Sequence, residues 1–124
     1  MPPCVPPSAP LRSLVADDEP DIRDFIGHVL ERAGHDVTIA GDGAEVLART
    51  SEQDFDLVVL DHHMPRMTGL AVAEELHRTS PATKVLLMSG DLEVAHEHAA
   101  FLPKPFNRTE FLAAVDTLLE PTAP

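Results

Sequence analysis

Three carboxylates carry the first chemical signal in this sequence. Asp17 and Asp18 close one apolar run, LVADD, and Asp61 closes another, LVVLD. Two carboxylates about 4 Å apart repel by roughly 4 kcal/mol at an effective dielectric near 20. Three held together therefore raise a pKa or hold a cation. Carboxylate oxygens are hard ligands suited to Mg²⁺, which keeps several waters and accepts phosphate oxygens as further ligands. Ser89 follows a third apolar run, VLLM, and Lys104 stands two residues after a fourth, AFL. A hydroxyl that donates to an anion and a point positive charge would complete a pocket that neutralises a phosphoryl group in transfer. An aspartate can itself take that group as an acyl phosphate. The stretch VVLDHHMPRM also places His62 and His63 directly after Asp61, which raises a second reading, a transition-metal site. Adjacent residues on an extended segment point to opposite sides, so the two rings are expected to diverge. No further cysteine or spaced histidine pair completes such a site.

The elements that must position these residues are legible from hydrophobic periodicity. Leu14-Val15-Ala16 reads as a strand buried on both faces. Ile22, Phe25, Ile26, Val29, Leu30 and Ala33 recur at helical spacing, with Pro20 near the start and Gly34 just past the end, as helix-end chemistry prefers. Val37-Thr38-Ile39, Leu57 to Leu60, Val85 to Met88 and Ala100-Phe101-Leu102 read as further strands. Ala44 to Thr50, Leu70 to Thr79, Asp91 to Ala99 and Arg108 to Leu119 read as helices, the last with Asn107 as its N-cap. A βα unit repeated about five times implies an α/β fold, a doubly wound parallel sheet with helices on both faces. In such a sheet every strand ends at the same edge, where ligands bind. Asp17, Asp18, Asp61, Ser89 and Lys104 should therefore meet there.

Bulk properties bound the function. The chain of 124 residues suits one domain, with residues 1–10 as a loose Pro-rich tail, 11–120 folded, and 121–124 a second tail. The formal charge is −12, so the surface repels nucleic acid and anionic lipid, and the expected partner is a protein. A single cysteine, Cys4, excludes an internal disulfide and fits a reducing, cytoplasmic setting. The apolar runs are too short to span a bilayer, and MPPCVPPSAP lacks the pattern of a signal peptide.

Taken singly, each chemical residue has a plain structural reading. Asp17-Asp18 can be turn and helix N-terminal acids, Asp61 a cap, Ser89-Gly90 an ordinary turn, Lys104 an exposed side chain and Phe101 core. Their joint order is what resembles a known family. LVADDEPDIRDFI, LVVLDHHMPRMTGL, LLMSG and FLPKPF, spanning about residues 11 to 120, resemble the response-regulator receiver domain of bacterial two-component signalling, the CheY-like family. The resemblance implies a single (βα)5 sheet of strand order 2-1-3-4-5. It implies Asp61 as phosphoacceptor. It implies Mg²⁺ (or Mn²⁺) held by Asp17, Asp18, Asp61 and the backbone carbonyl of His63. Ser89 and Lys104 would contact the phosphoryl group, with the Lys104–Pro105 bond cis. Gly90 would leave access for the donor, and Phe101 would act as an aromatic switch. The donor would be a histidine kinase or a histidine phosphotransfer protein, and the chain a monomer or a weak phosphorylation-dependent dimer.

The sequence also departs from the family pattern. Only GDLEVAHEHAAFLP separates Ser89 from Lys104, so a short or irregular fourth helix is expected. His63 and Asp91 stand two residues after Asp61 and Ser89, positions where they would tune the lifetime of the acyl phosphate. The function expected is a single-domain response regulator or phosphate relay, not an enzyme beyond its own phosphorylation and dephosphorylation chemistry. The alternatives are a receiver segment of a longer hybrid kinase or regulator, and an aspartyl phosphohydrolase. The last needs a second aspartate where His63 stands.

Overall fold

A computed structural model describes residues 11–64, 67–90 and 99–119. The expected tails, the short fourth helix over Asp91 to Ala99 (but for Ala99) and the Asp91 position lie outside the described residues. The chain runs β1 (Leu11–Ala16), α1 (Pro20–Arg32), β2 (His35–Ala40), α2 (Gly43–Glu52), β3 (Leu57–Asp61), α3 (Gly69–Thr79), β4 (Lys84–Ser89), β5 (Ala100–Pro103) and α4 (Arg108–Leu119). All strand pairs are parallel, and the order is β2-β1-β3-β4-β5, the order the resemblance implied.

Alternation along the central strands builds two cores. Leu14, Ala16, Val58, Leu60, Val85 and Leu87 face one way and pack with Val46 of α2 and Val72, Ala73 and Leu76 of α3. Val15, Leu57, Val59, Leu86 and Met88 face the other way, against Ile26, Val29 and Leu30 of α1 and Phe111 and Val115 of α4. β3 is buried along its whole length, which is why it reads as a continuous apolar run. β1 begins at Leu11, three residues before its expected start, because backbone pairing with β2 extends past the apolar run. Ser13 is polar yet fully buried. β2 likewise exceeds Val37–Ile39, and it lies at one edge of the sheet.

Local chemistry sets the helix ends. Gly34, at φ 98°, sits in the left-handed region just past α1, where a side chain would be strained. Asp42 and Thr68 cap α2 and α3 by accepting from Glu45 N and Ala71 N. Asn107 Oδ1 accepts from Glu110 N at 2.8 Å, and the Glu110 carboxylate accepts from Asn107 N at 2.9 Å. This reciprocal pair is a capping box, in keeping with the N-cap expected there.

One polar contact ties the sheet's opposite edge to the core. His35 Nδ1 lies 2.5 Å from Ser13 Oγ at the start of β2. Burial pushes the His35 pKa below its ordinary 6.5, against the pull of the Asp56 and Asp116 carboxylates. The unfolded chain therefore takes up this proton at a higher pH than the folded one. His35 contributes fully above about pH 6.5, and that contribution is lost as pH falls toward its lower folded value. Thermal unfolding followed by circular dichroism from about pH 7.5 to about pH 5 should show His35→Gln losing less stability than the parent chain. Parallel curves would show that His35 does not control this slope.

Candidate functional site

The carboxyl edge of the sheet gathers the residues singled out above. β1 ends at Ala16 and delivers Asp17, fully buried, and Asp18, exposed. β3 ends on Asp61, only 3% exposed, and β4 ends on Ser89, fully buried. β1 and β3 are hydrogen-bonded neighbours, so the two buried aspartates project from adjacent strands. Asp17, Asp18 and Asp61 each offer a carboxylate oxygen within 4.8 Å of the others. At that separation two unit charges at an effective dielectric near 20 repel by about 3–4 kcal/mol.

Lys104 offsets this repulsion. Its ammonium donates to Asp61 Oδ1 at 3.1 Å and lies 3.5 Å from Asp17 Oδ2 and 3.8 Å from Glu19 Oε1. Burial alone would lower the Lys104 pKa. The hydrogen bond to Asp61 and the charges of Asp17, Asp61 and Glu19 outweigh it and raise the value. Lys104 therefore stays charged. Asp17 is pushed upward as well, which for an acid favours the neutral form. Burial chiefly, then the Asp61 and Glu19 charges, raise its pKa against the Glu19 backbone hydrogen bond and the Lys104 charge. Asp17 Oδ1 accepts from Glu19 N at 2.8 Å, but Oδ2 is buried and accepts no hydrogen bond from the described residues. A buried carboxylate oxygen in that state is costly unless something pairs with it. Three carboxylates, one of them with a buried oxygen that meets only the Lys104 ammonium at 3.5 Å, fit a divalent cation such as Mg²⁺.

Backbone contacts hold this edge together. Lys104 N donates to Ser89 O at 2.8 Å, which fixes the chain just after β5 against the end of β4. The Lys104–Pro105 peptide is cis, the isomer the resemblance implied. His62 N donates to Met88 O at 2.9 Å, and His62 O accepts from Met64 N and Gly69 N. Gly69, at the start of α3, is a positioning residue to which the sequence reading gave no role. A Cβ there would lie 2.7 Å from Asp61 O and Leu87 Cδ1 and 2.9 Å from His62 Cα. The available signal was its place closing the quoted DHHMPRMTG stretch, but spacing cannot show that α3 presses on the Asp61 backbone. Glu19 was likewise quoted within LVADDEP without a role.

The remaining candidates sit around this centre. Gly90 follows Ser89, and a Cβ added to it would meet nothing within 4 Å among the described residues. Phe101 pairs with Leu87 across β4 and β5, and its half-buried ring packs on the core shared with α2 and α3. His63 is exposed and His62 half-buried. Their rings do not diverge, contrary to the expectation from extended backbone; they meet edge to face at 5.0 Å. The chain leaves the strand at Asp61, so the alternation rule no longer applies to the pair. Neither imidazole joins the carboxylate group among the described residues, and His62 Nδ1 is buried without a hydrogen-bond partner. Beside Lys104, an apolar hollow of about 210 Å³ is lined by Ile22, Phe25, Pro105 and Phe106.

Comparison with known proteins places this geometry. Residues 14–116 match the family model of the response regulator receiver domain. The response regulator MprA of Mycobacterium sp. (strain KMS) is 35% identical over 122 residues, which cover 93% of this chain and 53% of MprA. The chain thus spans about half the length of such curated relatives. The response regulator TrrA of Thermotoga maritima, solved in complex with Mg²⁺–BeF, superimposes with a TM-score of 0.81 at 32% identity, covering 88% of this chain and 99% of TrrA. Chemotaxis protein CheY4 of Vibrio cholerae gives 0.79 at 30% identity, covering 90% and 100%. The same geometry makes a stability prediction. Gly69→Ala should destabilise the protein by about 1–3 kcal/mol in denaturant unfolding, as overpacking does. Gly90→Ala should stay within about 0.5 kcal/mol.

Proposed function

The chain belongs to the response regulator receiver family, and from that premise we propose that it takes a phosphoryl group onto Asp61 from a phosphohistidine donor. One observation carries this reading. The Asp61 carboxylate is almost fully buried, hydrogen-bonded by Lys104 at 3.1 Å, and within 4.8 Å of two further carboxylates. Nothing about a core or a cap calls for that arrangement. A nucleophile beside a cation site does.

In the transfer, an Asp61 carboxylate oxygen attacks phosphorus, the P–N bond of the donor breaks, and its electron pair stays with the imidazole. Asp17, Asp18, Asp61 and the backbone carbonyl of His63 would hold Mg²⁺ (or Mn²⁺). When bound, that ion supplies charge neutralisation for the phosphoryl oxygens. Lys104 takes over a phosphoryl oxygen as Asp61 becomes an acyl phosphate. Ser89, at the end of β4, donates to another, and Gly90 leaves the donor's path open. Phe101 then moves inward and carries the change to the surface. His63 and Asp91 set how readily water reaches the acyl phosphate. The chemistry is confined to the chain's own phosphorylation and dephosphorylation.

The apolar hollow beside Lys104 and the 42% exposed Phe25 favour a protein donor, a histidine kinase or a histidine phosphotransfer protein. No helix among the described residues is long and apolar enough to cross a membrane. Output then runs through protein contact, as a single-domain regulator or phosphate relay, in a monomer or a weak phosphorylation-dependent dimer. A second reading, a receiver segment of a longer kinase or regulator, is favoured by one observation: the chain covers 53% of MprA. An aspartyl phosphohydrolase is disfavoured because His63 stands where its second aspartate would be.

Two measurements test the reading. Incubation with Mg²⁺ and a small phosphodonor should add the mass of one phosphoryl group to the parent chain and none to Asp61→Ala. No Asp61-dependent addition with any donor would sink the phosphoacceptor reading. Titration with Mg²⁺ followed by calorimetry should show Asp17→Asn binding at least about tenfold more weakly than the parent chain. Equal affinities would remove Asp17 from the cation site.

A further inference from the structure

Glu19 stands at the N-cap of α1, yet its side chain makes no capping hydrogen bond. Short polar side chains suit that position because they reach back to the first free N–H groups of the helix. Asp42, Thr68 and Asn107 do this at the other three described helix starts. Glu19 breaks the pattern, and its carboxylate goes elsewhere. It reaches the Lys104 ammonium at 3.8 Å while remaining 63% exposed. Its own N–H meanwhile donates to Asp17 Oδ1, which anchors the Glu19 backbone at the rim of the carboxylate cluster.

Lys104 is thus shared between two kinds of partner. Asp61 and Asp17 are buried and belong to the cation-binding group. Glu19 is solvent-facing and outside that group, so a bound cation would not neutralise it directly. A departure from local helix chemistry beside a functional cluster marks a side chain held for another purpose.

We propose that Glu19 is a positioning residue that holds the Lys104 ammonium toward α1 and sets the negative charge at the mouth of the site, so that it selects against phosphodonors according to their charge. This rests on the phosphoacceptor reading above. An incoming dianion meets Glu19 across water-accessible space, where each unit of donor charge at about 7 Å changes a rate by roughly threefold. The same interaction fades once the screening length drops well below that distance, near 1 M salt. The capping geometry adds a second expectation. Because the carboxylate caps nothing, removing its charge leaves α1 intact.

The test compares the parent chain with Glu19→Gln and Glu19→Lys at fixed Mg²⁺. Two donors are used: acetyl phosphate, a dianion near neutral pH, and phosphoramidate, which carries less negative charge there. The readout is the ratio of their phosphorylation rate constants at low salt and at about 1 M salt. The expected result is an acetyl phosphate preference that rises about threefold in Glu19→Gln, rises further in Glu19→Lys, and returns toward the parent ratio at high salt. The thermal midpoint of Glu19→Gln should match that of the parent chain. A ratio unmoved in both variants, or moved equally at both salts, overturns the proposal. If the parent chain gains no Asp61-dependent phosphoryl mass, the phosphoacceptor reading falls and this inference with it. A parent chain that is phosphorylated normally, with variants that keep its ratio, overturns the role of Glu19 alone.

Discussion

Two carboxylates are buried side by side at the ends of β1 and β3, and the Lys104 ammonium lies 3.1 Å from one and 3.5 Å from the other. This charge balance is the constraint on which the rest of the site depends. Asp17 and Asp61 come from adjacent strands, so the sheet itself forces them together. Without a cation between them their repulsion would favour protonation or opening of the edge. Lys104 holds the pair without abolishing its demand for positive charge, since Asp17 Oδ2 still lacks a hydrogen bond. The edge is therefore folded with a demand for positive charge left over, which suits a divalent cation.

The scaffold makes that balance possible by rigid placement rather than by loop adaptation. Asp61 ends a strand buried along its whole length, and Ser89 ends the strand paired with it. Lys104 follows an edge strand, but its N–H is tied to the Ser89 carbonyl, so its backbone inherits the position of β4, and Asp61 holds the ammonium. On the other side, α3 closes against β3 through Gly69, whose missing Cβ lets the helix start touch the Asp61 backbone. Asp61, Lys104 and Ser89 are thus each fixed to the same central strands.

Much of this was readable before any coordinates. LVAD, LVVLD and VLLMS are apolar runs that end in polar groups, and burial on both faces of a parallel strand leaves few other ways to write them. That order also carried the family resemblance and its strand order. Helix ends were legible where short-range chemistry governs them, as at Gly34 and Asn107. Strand lengths were less so. β1 gained Leu11 to Ser13 because pairing to β2 buries Ser13 against His35, a contact between residues of opposite chemistry to a core. The His62 and His63 rings meet because the chain turns away from the strand after Asp61, and strand alternation is blind to that turn.

By itself the sequence determined which segments are strands and helices, and which strand ends carry acids, a hydroxyl and an ammonium. Those properties are local, set by periodicity and by the residues next to each run. Only the tertiary structure decided that α3 presses on Asp61 through Gly69. Only it decided that Asp17 keeps an oxygen without a hydrogen bond, and that Glu19 turns from its helix toward Lys104, 85 positions away along the chain (104 − 19). Such facts depend on distances of a few ångströms between segments far apart in sequence. Hydrophobic patterning brings those segments to one edge but does not specify the contacts they make there.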